Sequence, residues 1–186
     1  MIKNVLSCFA LSIILMLNLQ CQSSKTEKQI VKVDFDFLGR KLIEVHDPSY
    51  DSWVINEQKE AEKTFGDVTV KLKGNMASKW FKVGMSAPYY SRLVSDGIAT
   101  EDSLELIISG LKPGPHSLLT FHNTFDKMEA RVFPAIKIYV NDKLTQTVSQ
   151  SNRALSKIES GTAYIKFNTE IGKDVVIRFT MDLGTE

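Results

Sequence analysis

The adjacent residues His122 and Asn123 are the first place where the residue types of this chain could do chemistry. They close the stretch LELIISGLKPGPHSLLTFHNTF, residues 104–125, in which two alternating apolar runs flank a Gly/Pro corner. A histidine can act as a general base, but it then needs a nucleophile or carboxylate within hydrogen-bond reach. Carboxylates such as Glu101, Asp102 and Asp126 are candidates for this partner, but the sequence spacing does not place any of them beside His122. The sequence therefore favours a surface or structural histidine, and no enzyme activity is expected.

Metal binding by the histidines is not expected either. His116 and His122 lie on the same face of the predicted strand, and the opposite face carries Leu119 and Phe121. These apolar residues predict that their own face is the core face and that the histidines point outward. Six residues of strand span about 20 Å, so the two histidines cannot share one metal ion. His46 precedes Asp47-Pro48 in a predicted loop. We expect no cofactor and no metal site, with a structural calcium ion left open.

Aromatic residues in the predicted loops are better candidates for binding. Exposed aromatic rings stack well on sugar faces, and the loops of an all-β scaffold carry its function. The stacking candidates are Tyr50, Trp53, Trp80, Tyr89 and Tyr90. The residues that would hydrogen-bond to sugar hydroxyls are Arg92, Asp96, His122 and Asn123. A structural alternative stays open: the two tryptophans cap the core, and Arg92 with Asp96 forms an ion pair.

Short apolar alternating runs bounded by Gly, Pro, Asn or Asp predict an all-β domain. This pattern is typical of an antiparallel β-sandwich or barrel. The segment NEQKEAEKT, residues 56–64, has no apolar stripe and is interpreted as a charged loop rather than a helix. Turns are predicted at 111–115 and at 139–143. The predicted strands are Ile30–Phe37, Val68–Leu72, Leu104–Ile108, Ser117–His122, Ala135–Asn141, Thr162–Asn168 and Asp174–Met181.

The N-terminus predicts export. Lys3 precedes an apolar run of about 15 residues, which suits a signal peptide and is short for a bilayer span of roughly 20. Cys21 lies where a lipoprotein would be acylated. The predicted organisation is a signal peptide over 1–21, a polar tether over 22–29 and one β-sandwich domain over 30–186. We expect an outer-membrane lipoprotein, facing the periplasm or the surface, or otherwise a secreted protein.

Charge and cysteine content limit the partners. The chain has 23 Lys and Arg against 22 Asp and Glu, and removal of Lys3 with the signal leaves 22 of each. No basic stripe is present, so nucleic acid is not an expected partner, and a membrane is expected only through the lipid anchor. Cys8 leaves with the signal, so the domain has no disulfide. Neutral poly- or oligosaccharides fit this surface better than strongly acidic ones.

The C-terminus suggests a missing element. The strand predicted at Asp174–Met181 is followed by the turn-like sequence DLGTE, after which a further strand is expected. The sandwich would then lack its last strand and expose the edge of the preceding one. An unpaired edge strand can pair with another chain. A protein partner at this C-terminal edge is therefore one prediction, and truncation of a longer protein is another.

Several of these segments resemble a known family. The specific ones are SDGI at 95–98 and SGLKPGPHSLLTFHN at 109–123, supported by FGDVTV at 65–70 and IYVND at 138–142. The chain is similar over most of 30–182 to malectin-like, galactose-binding-like jelly-roll modules of exported polysaccharide-degrading proteins of Bacteroidetes-type bacteria. The resemblance implies a jelly-roll β-sandwich that precedes a catalytic lyase or hydrolase domain.

Three functions follow as hypotheses. The first is a non-catalytic carbohydrate-binding module of an exported, lipid-anchored protein. The second is a structural or interaction sandwich that docks on a partner through its C-terminal edge. The third is a truncated N-terminal accessory domain of a polysaccharide lyase or glycoside hydrolase.

Overall fold

Two hydrogen-bonded sheets enclose one apolar core in the computed structural model, which describes residues 30–84, 91–100, 102–126 and 134–181. The predicted all-β antiparallel sandwich is confirmed. It forms one compact unit, Val31–Glu186. The predicted signal peptide, the tether and Cys21 fall outside the described residues. No helix in the described ranges is both long and apolar enough to cross a bilayer.

The described part of the chain is mostly strand with two single-turn helices. In chain order the elements are β1 (Val33–Asp34), α1 (Leu42–Val45), β2 (Asp51–Ser52), β3 (Gln58–Phe65), β4 (Val68–Trp80), α2 (Arg92–Ser95), β5 (Asp96–Ala99), β6 (Ser103–Ser109), β7 (Gly114–Thr124), β8 (Ile136–Val140), β9 (Lys143–Val148), β10 (Ser151–Asn152), β11 (Gly161–Thr169) and β12 (Val175–Met181).

The larger sheet has the order β3-β4-β6-β12-β8-β9, and β5 pairs with the far end of β4. All of its pairings are antiparallel. The smaller sheet has the order β10-β7-β11, in which β7 and β11 are antiparallel and the short β10 is parallel to β7. A separate parallel pair joins β1 to β2.

Alternation of apolar and polar residues explains why these segments form strands around a core. In β4, Val68, Val70 and Leu72 are buried while the residues between them are half-buried. In β11, Ala163 and Ile165 point into the core and their neighbours are exposed. Burial of one such large aliphatic side chain stabilises the fold by about 1.5–3 kcal/mol. The two sheets therefore hold together through the side chains that they share between them.

Gln58–Phe65 is a strand, so the interpretation of 56–64 as a charged loop is wrong from residue 58 onward. β3 pairs antiparallel with β4 and forms an edge of the larger sheet. Its half-buried residues are Ala61, Lys63 and Phe65, while the intervening residues are exposed. Charged side chains suit an edge strand because they discourage pairing with another chain. The charged residues that favoured a loop in the sequence are therefore explained by the position of β3 at the edge of the sheet.

The orientation predicted for β7 is also wrong. Its register pairs Leu118 with Ile165 and Thr120 with Ala163, and both partners are fully buried. The face that carries His116 and His122 therefore points toward the core. The opposite face points to solvent, where the side chain of Leu119 is 51% exposed.

The last described strand, β12, is not an edge. It pairs with β6 on one side through Ile177 and Leu106, and with β8 on the other side through Ile177 and Val140. Both of its hydrogen-bonding edges are used. The prediction that this strand is an exposed edge on which a partner could dock is therefore wrong. Residues 182–186 lie outside the described residues.

Candidate functional site

One end of the sandwich collects the irregular segments of the chain. The strand registers place Trp80, at the end of β4, beside Asp96 at the start of β5. They also place the end of β7 beside β10, where Asn123 pairs with Ser151. The N-terminal segment packs at the same end, because the backbone N–H of Phe37 donates to the Asp96 carboxylate. We call this region the loop end.

A buried cluster of two carboxylates and one imidazole lies at the loop end. Nδ1 of His46 is 3.3 Å from Oδ2 of Asp34 and 3.3 Å from Oδ2 of Asp36. One ligand atom from each residue lies within 4.8 Å of the other two. Asp34 and Asp36 are 1% and 0% exposed, whereas the side chain of His46 is 19% exposed. We call these three residues the acidic cluster.

Local backbone geometry explains why both aspartates point the same way. Asp34 and Asp36 alternate along an extended segment, so their side chains share a face. The segment is fixed against the following one by hydrogen bonds from Trp53 N to Asp34 O at 2.7 Å and from Asp36 N to Trp53 O at 3.2 Å. His46 directly follows α1, and its backbone N–H donates to Leu42 O at 2.8 Å, which closes that turn.

The carboxylates accept a limited set of hydrogen bonds. Oδ2 of Asp34 accepts from the backbone N–H of Asp47 at 2.7 Å. Oδ2 of Asp36 accepts from the hydroxyl of Ser52. Oδ1 of Asp36 is buried without a hydrogen-bond partner. A buried carboxylate oxygen without a donor is costly, because water stabilises it in the unfolded chain.

Asp96 adds a third buried carboxylate beside the acidic cluster. It is 5% exposed, its Oδ2 accepts from Phe37 N at 2.9 Å, and its Oδ1 is buried without a partner. Burial, together with the charges of Asp34 and Asp36, raises the pKa of Asp96 to about 9. Burial is also the main cause that raises the pKa of Asp34 to about 6. The surroundings at the loop end therefore disfavour the ionised form of both carboxyl groups.

The predicted aromatic residues do not form one exposed platform. Trp53 is 7% exposed and packs in the core, with its ring centroid 5.5 Å from that of Phe35 and 5.8 Å from that of Phe65. Its prediction as a stacking residue is therefore wrong, and the structural alternative applies to it. Tyr89 and Tyr90 lie outside the described residues.

Trp80 and Tyr50 are half-buried at the loop end. The Trp80 ring stacks on Phe37 at a centroid distance of 6.4 Å, and the Arg40 guanidinium lies 4.2 Å from the Trp80 ring centroid. The Tyr50 ring has the Lys157 ammonium 6.0 Å from its centroid. Burial, followed by the charges of Asp47 and Asp34, raises the pKa of Tyr50, so this phenol lies close to the acidic cluster.

The polar residues predicted to bind a sugar lie in different environments. Arg92 lies beside the acidic cluster, where its Nη1 donates to the backbone oxygen of His46 at 3.5 Å. The buried Asp96 carboxylate is not accessible to a sugar, so its prediction as a sugar-binding residue is wrong. His122 points toward the core, and burial lowers its pKa to about 4. Its Nε2 lies 2.8 Å from Oγ1 of Thr120.

Asn123 is a structural clamp, so its prediction as a sugar-binding residue is wrong. Its amide nitrogen donates to Val94 O at 2.9 Å and to Ala154 O at 3.0 Å, and its amide oxygen accepts from Ala154 N at 2.9 Å. Both amide hydrogens are therefore used, and they join α2 to the segment that follows β10.

Two surface grooves are present on the described part of the sandwich. One, of about 470 Å³, lies between the β8-β9 hairpin and β11, and it includes Lys143, Lys166 and Phe167. The other, of about 230 Å³, includes Asn75 and Asp102. Neither groove is lined by a predicted site residue. Substitutions in the grooves can therefore serve as controls for substitutions at the loop end.

Sequence reasoning missed Asp34, Asp36 and His46 as a group. The signal was the DFDF segment at 34–37, in which two acidic residues alternate with two aromatic ones. On an extended chain this spacing puts both carboxylates on one face. His46 follows ten residues later, and only the fold of α1 brings it back to that face.

Comparison with known proteins finds no match to this chain among family models, curated proteins or solved structures. The fold and site together define an all-β sandwich with a buried acidic cluster at its loop end. The malectin-like resemblance therefore stays a prediction.

Proposed function

We propose that the protein is a non-catalytic glycan-recognition module whose binding surface is the loop end of the sandwich. The observation that carries this proposal is the convergence of Tyr50, Trp80 and Arg92 from three separate segments on one end of the fold. Half-buried aromatic rings offer stacking surface, and a guanidinium offers hydrogen bonds to hydroxyl or carboxylate groups of a sugar.

The burial of the acidic residues supports a non-catalytic role. A glycosidase places two carboxyl groups on either side of the bond that is cleaved. Asp34, Asp36 and Asp96 are at most 5% exposed, so a polysaccharide cannot reach their carboxylates without movement of the surrounding segments. Recognition by surface residues requires no such movement, and binding would be weak because stacking must offset the entropy of association.

Affinity gels that contain plant, algal and host polysaccharides test this proposal. The full chain is expected to be retarded by at least one of them. Tyr50→Ala should weaken that retardation about 3- to 10-fold, since a stacking contact contributes on the order of 1 kcal/mol.

Matched variants elsewhere locate the binding surface. Tyr164→Ala removes another aromatic ring, 55% exposed, from β11. Lys166→Ala changes the larger groove at the opposite end of the sandwich. Both should bind as the unchanged chain does. Loss of binding in Lys166→Ala with full binding in Tyr50→Ala would contradict the proposed surface, and no retardation by any polysaccharide would contradict glycan recognition.

A second candidate function, docking on another protein, is favoured by exposed aliphatic side chains at the loop end. Ile43 is 74% exposed and Ile158 is 92% exposed, on the two segments that flank Tyr50. A partner with apolar surface residues would cover them. Crosslinking in cells should then yield an adduct that Ile43→Lys with Ile158→Lys abolishes. Ile171→Lys, at the opposite end and 83% exposed, is the control that should retain the adduct.

We also propose export and acylation at Cys21. Labelling of cells with a radioactive fatty acid should mark the unchanged chain, and Cys21→Ser should be unlabelled and released from the membrane fraction. Equal labelling of both chains would contradict acylation at this residue.

A further inference from the structure

We infer that the acidic cluster of Asp34, Asp36 and His46 is a binding site for one divalent transition-metal ion of the zinc type. This inference is independent of glycan recognition, because it concerns buried groups beneath the surface proposed for the sugar.

The spacing of the donor atoms fits a single ion. Four ligands at about 2.0 Å from a tetrahedral metal ion are separated from one another by about 3.3 Å. Nδ1 of His46 lies 3.3 Å from Oδ2 of Asp34 and 3.3 Å from Oδ2 of Asp36. The whole set lies within 4.8 Å, so one ion can contact all three side chains after small adjustments. Three protein ligands leave a position for water, which the 19% exposure of His46 allows.

A second, independent observation points to a positive ligand. Oδ1 of Asp36, on a residue that is 0% exposed, has no hydrogen-bond donor, and the same is true of Oδ1 of Asp96. Nδ1 of His46 also lacks a hydrogen bond of good geometry despite its closeness to both carboxylates. Buried polar atoms are almost always paired in folded proteins. Two of these atoms belong to the acidic cluster itself, which favours a bound partner other than a side chain of the described residues.

The donor set selects the type of ion. Calcium and magnesium prefer sites made of oxygen ligands alone, whereas imidazole nitrogen is a preferred ligand of zinc and other first-row transition metals. Carboxylate oxygens and imidazole nitrogens are both ligand types of zinc, so two carboxylates and one imidazole are compatible with such an ion.

A bound ion would fasten the N-terminal segment to the sandwich. β1 contributes only two residues of parallel pairing with β2, which is a small contact for a strand. A metal ion joined to Asp34, Asp36 and His46 would link this segment to the turn after α1. The loop end would then depend on the metal for its order.

Thermal unfolding of the full chain tests the site. Protein stripped with EDTA and then supplied with Zn²⁺ at about 100 times its dissociation constant should unfold about 5–10 °C higher than the stripped protein. Isothermal titration should give one equivalent of Zn²⁺ per chain, and Ca²⁺ should bind more weakly. No shift with Zn²⁺, or tighter binding of Ca²⁺ than of Zn²⁺, would overturn the inference.

Near-isosteric variants separate metal binding from folding. Asp36→Asn keeps the shape of the side chain and removes a buried charge, so in EDTA its unfolding temperature should equal or exceed that of the unchanged chain. Its affinity for Zn²⁺ should fall at least about 100-fold. His46→Gln, at a partly exposed position, should lose Zn²⁺ binding in the same way if Asp36→Asn does not fold. The control is Asp102→Asn, because Asp102 is exposed and accepts a hydrogen bond from Asn75; this variant should bind Zn²⁺ as the unchanged chain does. Normal Zn²⁺ binding by Asp36→Asn or His46→Gln would overturn the assignment.

Discussion

Replacement of Asn123 by alanine should unfold the loop end far more easily than an exposed substitution would. The Asn123 amide makes three hydrogen bonds, of 2.9, 3.0 and 2.9 Å, to the backbone of Val94 and Ala154. A net hydrogen bond contributes about 1 kcal/mol, and a buried backbone group left without its partner costs a further 1–3 kcal/mol. The three hydrogen bonds together contribute about 3 kcal/mol and an unpaired backbone group adds about 1–3 kcal/mol, so the expected loss in the free energy of unfolding is about 4–6 kcal/mol.

Urea unfolding measures this loss. The midpoint for Asn123→Ala should fall with little change in the slope, because the folded and unfolded surfaces stay similar. Asn168→Ala, at an exposed position of β11, is the control and should stay within about 0.5 kcal/mol of the unchanged chain. A loss below about 1 kcal/mol in Asn123→Ala would refute the clamp and return this residue to the candidate sugar-binding set.

Three further predictions follow from the fold. Because burial lowers the pKa of His122 from 6.5 to about 4, the unfolded chain binds a proton between these pH values that the folded chain does not bind. The contribution of His122 to stability is therefore complete above pH 6.5 and falls by at most about 3 kcal/mol toward pH 4. The raised pKa values of Asp34 and Asp96 change stability in the opposite direction, so the His122 contribution is measured against a His122 variant. Between pH 7.5 and pH 4.5, the urea midpoint of the unchanged chain should fall relative to that of His122→Gln; an identical pH dependence in the two chains would contradict the assignment. Gly110→Ala should lower the free energy of unfolding by more than about 1–3 kcal/mol, because φ is +79° and the new Cβ would lie too close to the backbone oxygen of Asp67. Gly172→Ala, at φ +67° with no atom near the new Cβ, should lower it by about 1 kcal/mol. Equal melting temperatures of the two variants would contradict the close approach at Gly110. Trp53→Ala should cost about 3–5 kcal/mol and Tyr164→Ala under about 1 kcal/mol, and a reversed order in thermal unfolding would place Trp53 outside the core.

Much of the fold could be predicted from alternation alone. The runs around Val68–Leu72 and Thr162–Asn168 became strands because their apolar residues repeat every second position. The tight turn predicted at 139–143 is present, with Asn141 and Asp142 at positive φ, as a two-residue hairpin requires. The edge strand at Gln58–Phe65 could not be predicted by this signal, because an edge strand buries few apolar residues.

The face of β7 and the acidic cluster depend on long-range packing. Leu119 with Phe121 and Leu118 with Thr120 offered two similar faces, and only the pairing with β11 decided between them. Asp34, Asp36 and His46 come together through the pairing of β1 with β2 and the turn at α1, neither of which has a strong sequence signal. The loop location of Trp53 did not reveal its burial, since an aromatic residue between strands packs into the core as readily as it faces solvent.

Anomalous X-ray diffraction tests most directly whether the acidic cluster is a binding site. Crystals of the full chain soaked in Zn²⁺ would be measured on both sides of the zinc absorption edge. The account predicts one anomalous peak at bonding distance from Asp34, Asp36 and Nδ1 of His46, and its loss in Asp36→Asn. Absence of a peak at this cluster, with zinc bound only at exposed residues, would contradict the account.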